Sequence, residues 1–186
     1  MKAISILGSL AVAMSFAGSA LAQDSDYLGQ SAAGVAEARA QPASLPADVQ
    51  LVELERWHFR GDTFSARPFA PSSPWQHPGT RQGVLGFISY FPFEGSMTLY
   101  NCLTNDYRNR FTSHDANCEG HMLMTNASPI TGYIASTQLP GTVPLYRCQR
   151  GGLSPGNWAD HFDSVDVNCE GVKHPANDGI IGYIWQ

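Results

Sequence analysis

Apolar and β-branched positions come in short runs separated by glycine, proline and polar clusters, and the runs recur in a fixed order. Val143 to Gln149 is β-rich, with Pro144 near its start, where a missing N–H is tolerated. His161-Phe162-Asp163-Ser164 is short and centres on one aromatic. Gly179 to Trp185 closes the unit with Ile180, Ile181, Tyr183, Ile184 and Trp185. The order strand, short strand, loop, closing strand is written three times. Leu99-Tyr100-Asn101-Cys102, Arg110 to Gly120 and Ile130 to Ile134 match Leu145-Tyr146-Arg147-Cys148, His161 to Gly171 and Ile181 to Ile184. A degenerate first copy runs through Leu54-Glu55-Arg56-Trp57, Thr63 to Ala66 and Val84 to Ile88. The matched leucines Leu54, Leu99 and Leu145 stand 45 and 46 residues apart.

A unit of that length cannot bury its own apolar face, so the copies must share a core. Phe64, Phe111 and Phe162 occupy one register position, and all three should be buried with the three leucines. Gly86, Gly132 and Gly182 fall at one point of the closing strand, which suggests a bulge or a close backbone approach. The expectation is an all-β chain: a β-trefoil of three units (51–94, 95–140 and 141–186) with six barrel strands and three capping hairpins. An open β-array or a sandwich is the competing architecture.

Composition supports many short strands. Only 15% of residues are charged, while Gly and Pro number 18 and 12, a mix unsuited to long helices with charged faces. Residues 1–22 read as a signal peptide. Lys2 supplies the positive region, Ile4 to Ala17 is apolar, and Ala20-Leu21-Ala22 is a cleavage site before Gln23. The apolar run is too short for a convincing membrane span. The expected product is secreted or periplasmic, without membrane insertion, and monomeric. Residues 23–50 lack an apolar stripe and read as a flexible tether.

The cysteines fit that compartment. Cys102 and Cys118 are 16 residues apart, Cys148 and Cys169 are 21 apart, and no C-x2-C pair suggests zinc. Four cysteines allow three connectivities. Repeat symmetry favours Cys102–Cys118 with Cys148–Cys169, each bridge contributing roughly 3 kcal/mol. The first copy has Trp57 at the position of the first cysteine and Trp75 near the second, so a buried aromatic could replace the clamp there.

Without Lys2 the chain has 10 basic and 16 acidic residues, a net charge of about −6. That balance lacks the electrostatic footprint of nucleic-acid binding. The motif set of the third copy (Leu-Tyr-Arg-Cys, Asp-His-Phe-Asp-Ser, Asn-Cys-Glu-Gly, Gly-Tyr-Ile) resembles a repeat of exported bacterial proteins of unassigned function. The resemblance covers 51–186, is specific in copies two and three, and implies an accessory binding role beside secreted hydrolases. Ricin-type trefoil lectins are similar in plan only, since their Gln-x-Trp signature is absent.

Candidate chemistry is sparse. Asp115, Asn117 and Glu119 alternate, as do Asp166, Asn168 and Glu170, but no calcium-loop spacing is present. The aspartates are read as turn caps, and no metal or other cofactor is expected. His114, His161, Asp160 and Asp163 could be drafted into a hydrolytic site, yet no motif fixes their geometry, so the chain is read as a non-enzyme. His161 is better accounted for by a hydrogen bond at a strand edge. The expected function is a secreted binding module for a glycan or another extracellular ligand. Trp158 in the insertion Gly151 to Ala159 would stack on a sugar, Asp160 and His161 would supply hydrogen bonds, and Tyr107 occupies the comparable loop of copy two. A protease-inhibitor-like loop over Leu153 to Asn157 is the alternative.

Overall fold

In a computed structural model of the chain, residues 27–28, 33, 45–70, 73, 77–125, 128–152, 158–172 and 177–186 are described. The expected signal segment 1–22, most of the expected tether 23–50, Trp75 and the loop 153–157 lie outside the described residues. Ten strands follow in order: β1 (Leu51–Phe59), β2 (Asp62–Ala66), β3 (Thr80–Ser89), β4 (Ser96–Leu103) and β5 (Arg110–Ser113). Then come β6 (Met122–Leu123), β7 (Ile130–Ala135), β8 (Thr142–Arg150), β9 (Asp160–Ser164) and β10 (Asn177–Trp185). The described residues are all-β, the ten strands pair antiparallel, and two disulfides join Cys102 to Cys118 and Cys148 to Cys169.

Each long strand pairs with the short strand after it and with a closing strand. The hairpin β1–β2 sets Trp57 opposite Phe64, β4–β5 sets Cys102 opposite Phe111, and β8–β9 sets Cys148 opposite Phe162. The closing strands place Gly86 opposite Leu54, Gly132 opposite Leu99 and Gly182 opposite Leu145. They also meet one another in a cycle, through Ser89 with Tyr133, Ala135 with Tyr183, and Phe87 with Trp185.

The core follows from that register. Leu54, Leu99 and Leu145 are fully buried and pack with Ile88, Ile134, Ile184, Leu85 and Ile181. Leu85 and Ile181 are the extra residues of β-bulges beside Gly86 and Gly182. The bulge turns both residues inward, at the cost of one unpaired ladder position. The same glycines are also points of close approach. A Cβ on Gly132 would stand 2.5 Å from Ile88 Cδ1, and one on Gly182 would run into the Ile134 side chain.

Smaller clusters lie under the hairpins. Phe111 packs on the Cys102–Cys118 bridge and Phe162 on the Cys148–Cys169 bridge. Beneath β1–β2 there is no bridge, and His77 sits among Trp57, Phe64 and Phe69 with ring centroids at 5.3, 6.1 and 4.3 Å. Trp57 is only half-buried, its indole N–H donating to Glu55 Oε2 at 3.1 Å. Among the described residues a histidine packed among aromatics, Trp57 included, fills the place of the bridge, while Trp75 lies outside them. Histidine fits because its Nε2–H reaches the Arg67 carbonyl at 2.7 Å while its ring packs.

Two substitutions test the register. Phe162→Ala should cost about 3–5 kcal/mol in denaturant unfolding, as a large core truncation. Gly182→Ala should cost about 1–3 kcal/mol, because φ is 153° and Ile134 must yield. A loss below about 1 kcal/mol for both would place these residues outside the core.

Candidate functional site

The three short strands β2, β5 and β9 converge, and each brings one small polar residue two positions before its phenylalanine: Asp62, Asn109 and Asp160. All three are buried. Each side chain accepts a backbone N–H from the next strand. Arg110 N donates to Asp62 Oδ1 at 2.9 Å, His161 N to Asn109 Oδ1 at 3.2 Å, and Thr63 N to Asp160 Oδ1 at 2.7 Å. The Asn109 amide closes the ring by donating to Asp62 Oδ1 and Asp160 Oδ1, both at 3.2 Å. An amide at the third position matters physically: it supplies donors where a third carboxylate would add repulsion.

The outer oxygens of the ring are held by arginines. Arg110 Nε donates to Asp62 Oδ2 at 2.7 Å, and Arg150 Nε to Asp160 Oδ2 at 2.8 Å. Burial still raises the Asp62 carboxyl above its ordinary value, with Arg110 opposing. Deeper in, Thr112 Oγ1 donates to Asp163 Oδ1 at 2.7 Å. Burial raises Asp163 as well, opposed by Ser65 and Thr112 and then by Arg147 and Arg56. Among the described residues, Asp163 Oδ2 and Ser65 Oγ find no partner in hydrogen-bond geometry. Asp163 is only 2% exposed, so no substrate could reach it.

The acidic loops turn out to be structural. Asp115 Oδ1 accepts Asn117 N and its Oδ2 accepts Glu119 N, both at 2.9 Å, while its own N–H goes to Ser113 Oγ. Asp166 repeats this with Asn168, Glu170 and Ser164. These caps support a tight 3-10 turn in which Cys118 and Glu119 take φ of 51° and 56°, and Cys169 and Glu170 take 51° and 57°. Non-glycine residues hold such angles only when neighbours impose them; here the disulfide and the aspartate do so. The turn aims each glutamate at an arginine of another hairpin. Arg147 meets Glu119 through two bonds of 2.6 and 2.9 Å and also reaches the Thr112 carbonyl. Arg56 meets Glu170 at 2.5 and 2.9 Å and reaches the Asp163 carbonyl. These paired bonds were invisible in the sequence, where the two arginines read only as part of a repeat motif.

The residues expected to touch ligand divide into two groups. The Asp160 carboxylate is spent on the ring, and His161 Nδ1 lies 2.5 Å from Asn109 Oδ1 at a strand edge. Trp158 and Tyr107 remain exposed, by 54% and 73%. The Arg108 guanidinium lies over the Trp158 ring, 3.4 Å from its centroid, so the two loops meet. Beside them is a shallow, open depression of about 560 Å³ bounded by His58, Gln82, Arg150, Trp158 and Asp160. Its floor is a network: Arg150 Nη2 donates to Thr63 Oγ1, which also contacts His58 Nδ1 at 3.1 Å. Among the described residues, no cluster of histidine, cysteine and carboxylate groups has metal-binding geometry.

The glutamate–arginine pairs predict an acid-sensitive fold. Arg147 holds Glu119 down at about 2, against burial and with help from Ser113, where an ordinary glutamate titrates near 4.5. Burial opposes ionisation of Glu170, but Arg56 and Ser164 keep it below its ordinary value. Since the folded-state values lie below the unfolded ones, this stabilisation is complete above about pH 4.5 and is lost as pH falls toward 2. Asp62 and Asp163, shifted upward, oppose the trend from the other side. Glu119→Gln should therefore lower the melting temperature at pH 7 and shrink its decline between pH 4.5 and 2. An unchanged acid limb would mean that the pair contributes nothing. The chain matches no protein-family model, no curated protein and no solved structure.

Proposed function

We propose that this protein is a non-catalytic binding module of an oxidising, extracytoplasmic compartment, built as a β-trefoil of three units of about 45 residues. Two fully buried disulfide clusters are consistent with that compartment, and no described helix is long and apolar enough to cross a membrane. The cyclic pairing of β3, β7 and β10, and the matched register of the three hairpins, support a threefold plan. The non-catalytic reading rests on how the polar groups are used. Asp62, Asp160, Glu119 and Glu170 are each committed to backbone amides or arginines, which leaves none of them poised as a base or nucleophile.

The ligand class is carbohydrate, and the observation that carries it is the exposed Trp158 ring beside a shallow polar depression. A sugar presents an apolar face and a rim of hydroxyls. It therefore suits an aromatic platform flanked by planar hydrogen-bonding groups, here Arg108, His58, Gln82 and Arg150. Arg108 contributes twice, by fixing the indole through its guanidinium and by offering donors to hydroxyls. Asp160 acts through Arg150, holding that guanidinium in place.

Glycan-array screening of the chain without residues 1–22 should give binding to a defined polysaccharide class. Trp158→Ala should weaken that binding by about tenfold or more, as loss of one stacking anchor does, while shifting the melting temperature by under about 2 °C. Undiminished binding by the variant would remove Trp158 from the site.

A further inference from the structure

The matched register fails at one place, and a cavity opens there. Arg56 on β1 and Arg147 on β8 cross to Glu170 and Glu119, each passing beside a phenylalanine with its guanidinium 5.6 and 5.4 Å from the ring centroid. The register-matched residue on β4 is Asn101, too short to make that crossing. The facing segment has no matching acid either. Where the second and third hairpins are followed by His114-Asp115 and Val165-Asp166, the first is followed by Arg67-Pro68. One further position differs. The bulge residue that is Leu85 in β3 and Ile181 in β10 is Thr131 in β7. Together these shortened walls leave a cavity of about 390 Å³, within the range of small-molecule sites.

Its chemistry is specific. Phe64, Phe69 and Tyr90 supply aromatic surface, and the last two are also exposed at the rim, by 41% and 47%. Two cations line it and no described lining residue is acidic. Arg110 lies over Phe64 and is neutralised by Asp62. Arg67 lies 4.4 Å over the Tyr90 ring and donates to Ser128 Oγ at 3.2 Å, with no carboxylate partner among the described residues. Thr131 is 3% exposed, and its Oγ1 has no hydrogen-bond partner among the described residues. An unpaired buried hydroxyl in a position that is otherwise apolar costs stability. A bound polar atom would remove that cost.

We propose that this cavity binds a small aromatic carboxylate, its ring among Phe64, Phe69 and Tyr90 and its carboxylate on Arg67, with the Thr131 hydroxyl as a further hydrogen-bonding group. A cationic ligand would meet two arginines and no counter-charge. A sugar would find too few polar groups for its hydroxyls. A single ring with one negative charge satisfies the aromatic walls, the uncompensated guanidinium and the buried hydroxyl together. The site lies apart from Trp158 and is independent of the carbohydrate reading.

Isothermal titration calorimetry with 4-hydroxybenzoate, benzyl alcohol and acetate tests it on the full chain with its native disulfides. The aromatic acid should bind and raise the melting temperature, with both controls at least about tenfold weaker, since each lacks one of the two features. Arg67→Met should weaken 4-hydroxybenzoate about tenfold or more, and Thr131→Val should weaken it measurably. Thr131→Leu, which restores the side chain found at the matched position, should abolish binding and make the free protein more heat-stable. Trp158→Ala should leave this binding unchanged. The proposal is overturned if the native protein binds none of the three, if benzyl alcohol binds as well as the acid, or if Thr131→Leu and Arg67→Met bind like the native chain.

Discussion

Three side chains that accept a backbone N–H from the neighbouring short strand are the constraint on which the rest of the structure depends. Asp62, Asn109 and Asp160 lie where β2, β5 and β9 meet, buried away from water. Strand-to-strand ladders hold each hairpin to its own closing strand and link the closing strands to one another, but none pairs one short strand with the next. The ring joins them, and its carboxylates are tolerated only because amide, backbone and guanidinium donors saturate them. With the short strands fixed, Phe64, Phe111 and Phe162 are driven into their clusters and the arginines are brought within reach of the distant glutamates.

The Asn-Cys-Glu-Gly turns extend the same logic outward. Each disulfide holds a strained turn locally, and the strained turn presents a glutamate to a guanidinium more than twenty residues away. The motif looks like a ligand-binding loop because it concentrates acid, amide and thiol. Its residues are instead consumed by caps, a bridge and a clamp. Where the motif is missing, between the first hairpin and β4, neither clamp nor bridge forms, and His77 with its aromatic neighbours covers only part of the gap. Departures from the matched register coincide with the loop that carries the exposed Trp158 and with the cavity beneath Thr131.

Much of the architecture was legible from residue pattern. The strand order, the burial of the three leucines and three phenylalanines and the capping role of Asp115 and Asp166 follow from local rules, and the disulfide pairing from the matched positions of the four cysteines. Period-two alternation, spacing and side-chain reach to a nearby amide operate within one unit. Asp160 and His161 read differently in sequence because a polar pair next to an exposed tryptophan suggests a binding site. The structure turns the carboxylate inward to the ring, a consequence of which strands converge and therefore of relations between units. Asp62 and Asn109 carried the same positional signal, two residues before the phenylalanine, but copy one was too degenerate to make it stand out.

By itself the sequence determined the all-β class, the pairing of cysteines and the identity of the core face, because each depends on contacts close along the chain. Only the tertiary structure decided that Arg56 and Arg147 clamp distant turns, that His77 takes the place of a bridge, and that Asn101 and Thr131 leave a cavity. Those outcomes depend on the distance between residues of different units. No spacing along the chain encodes that distance until the hairpins have met around the ring.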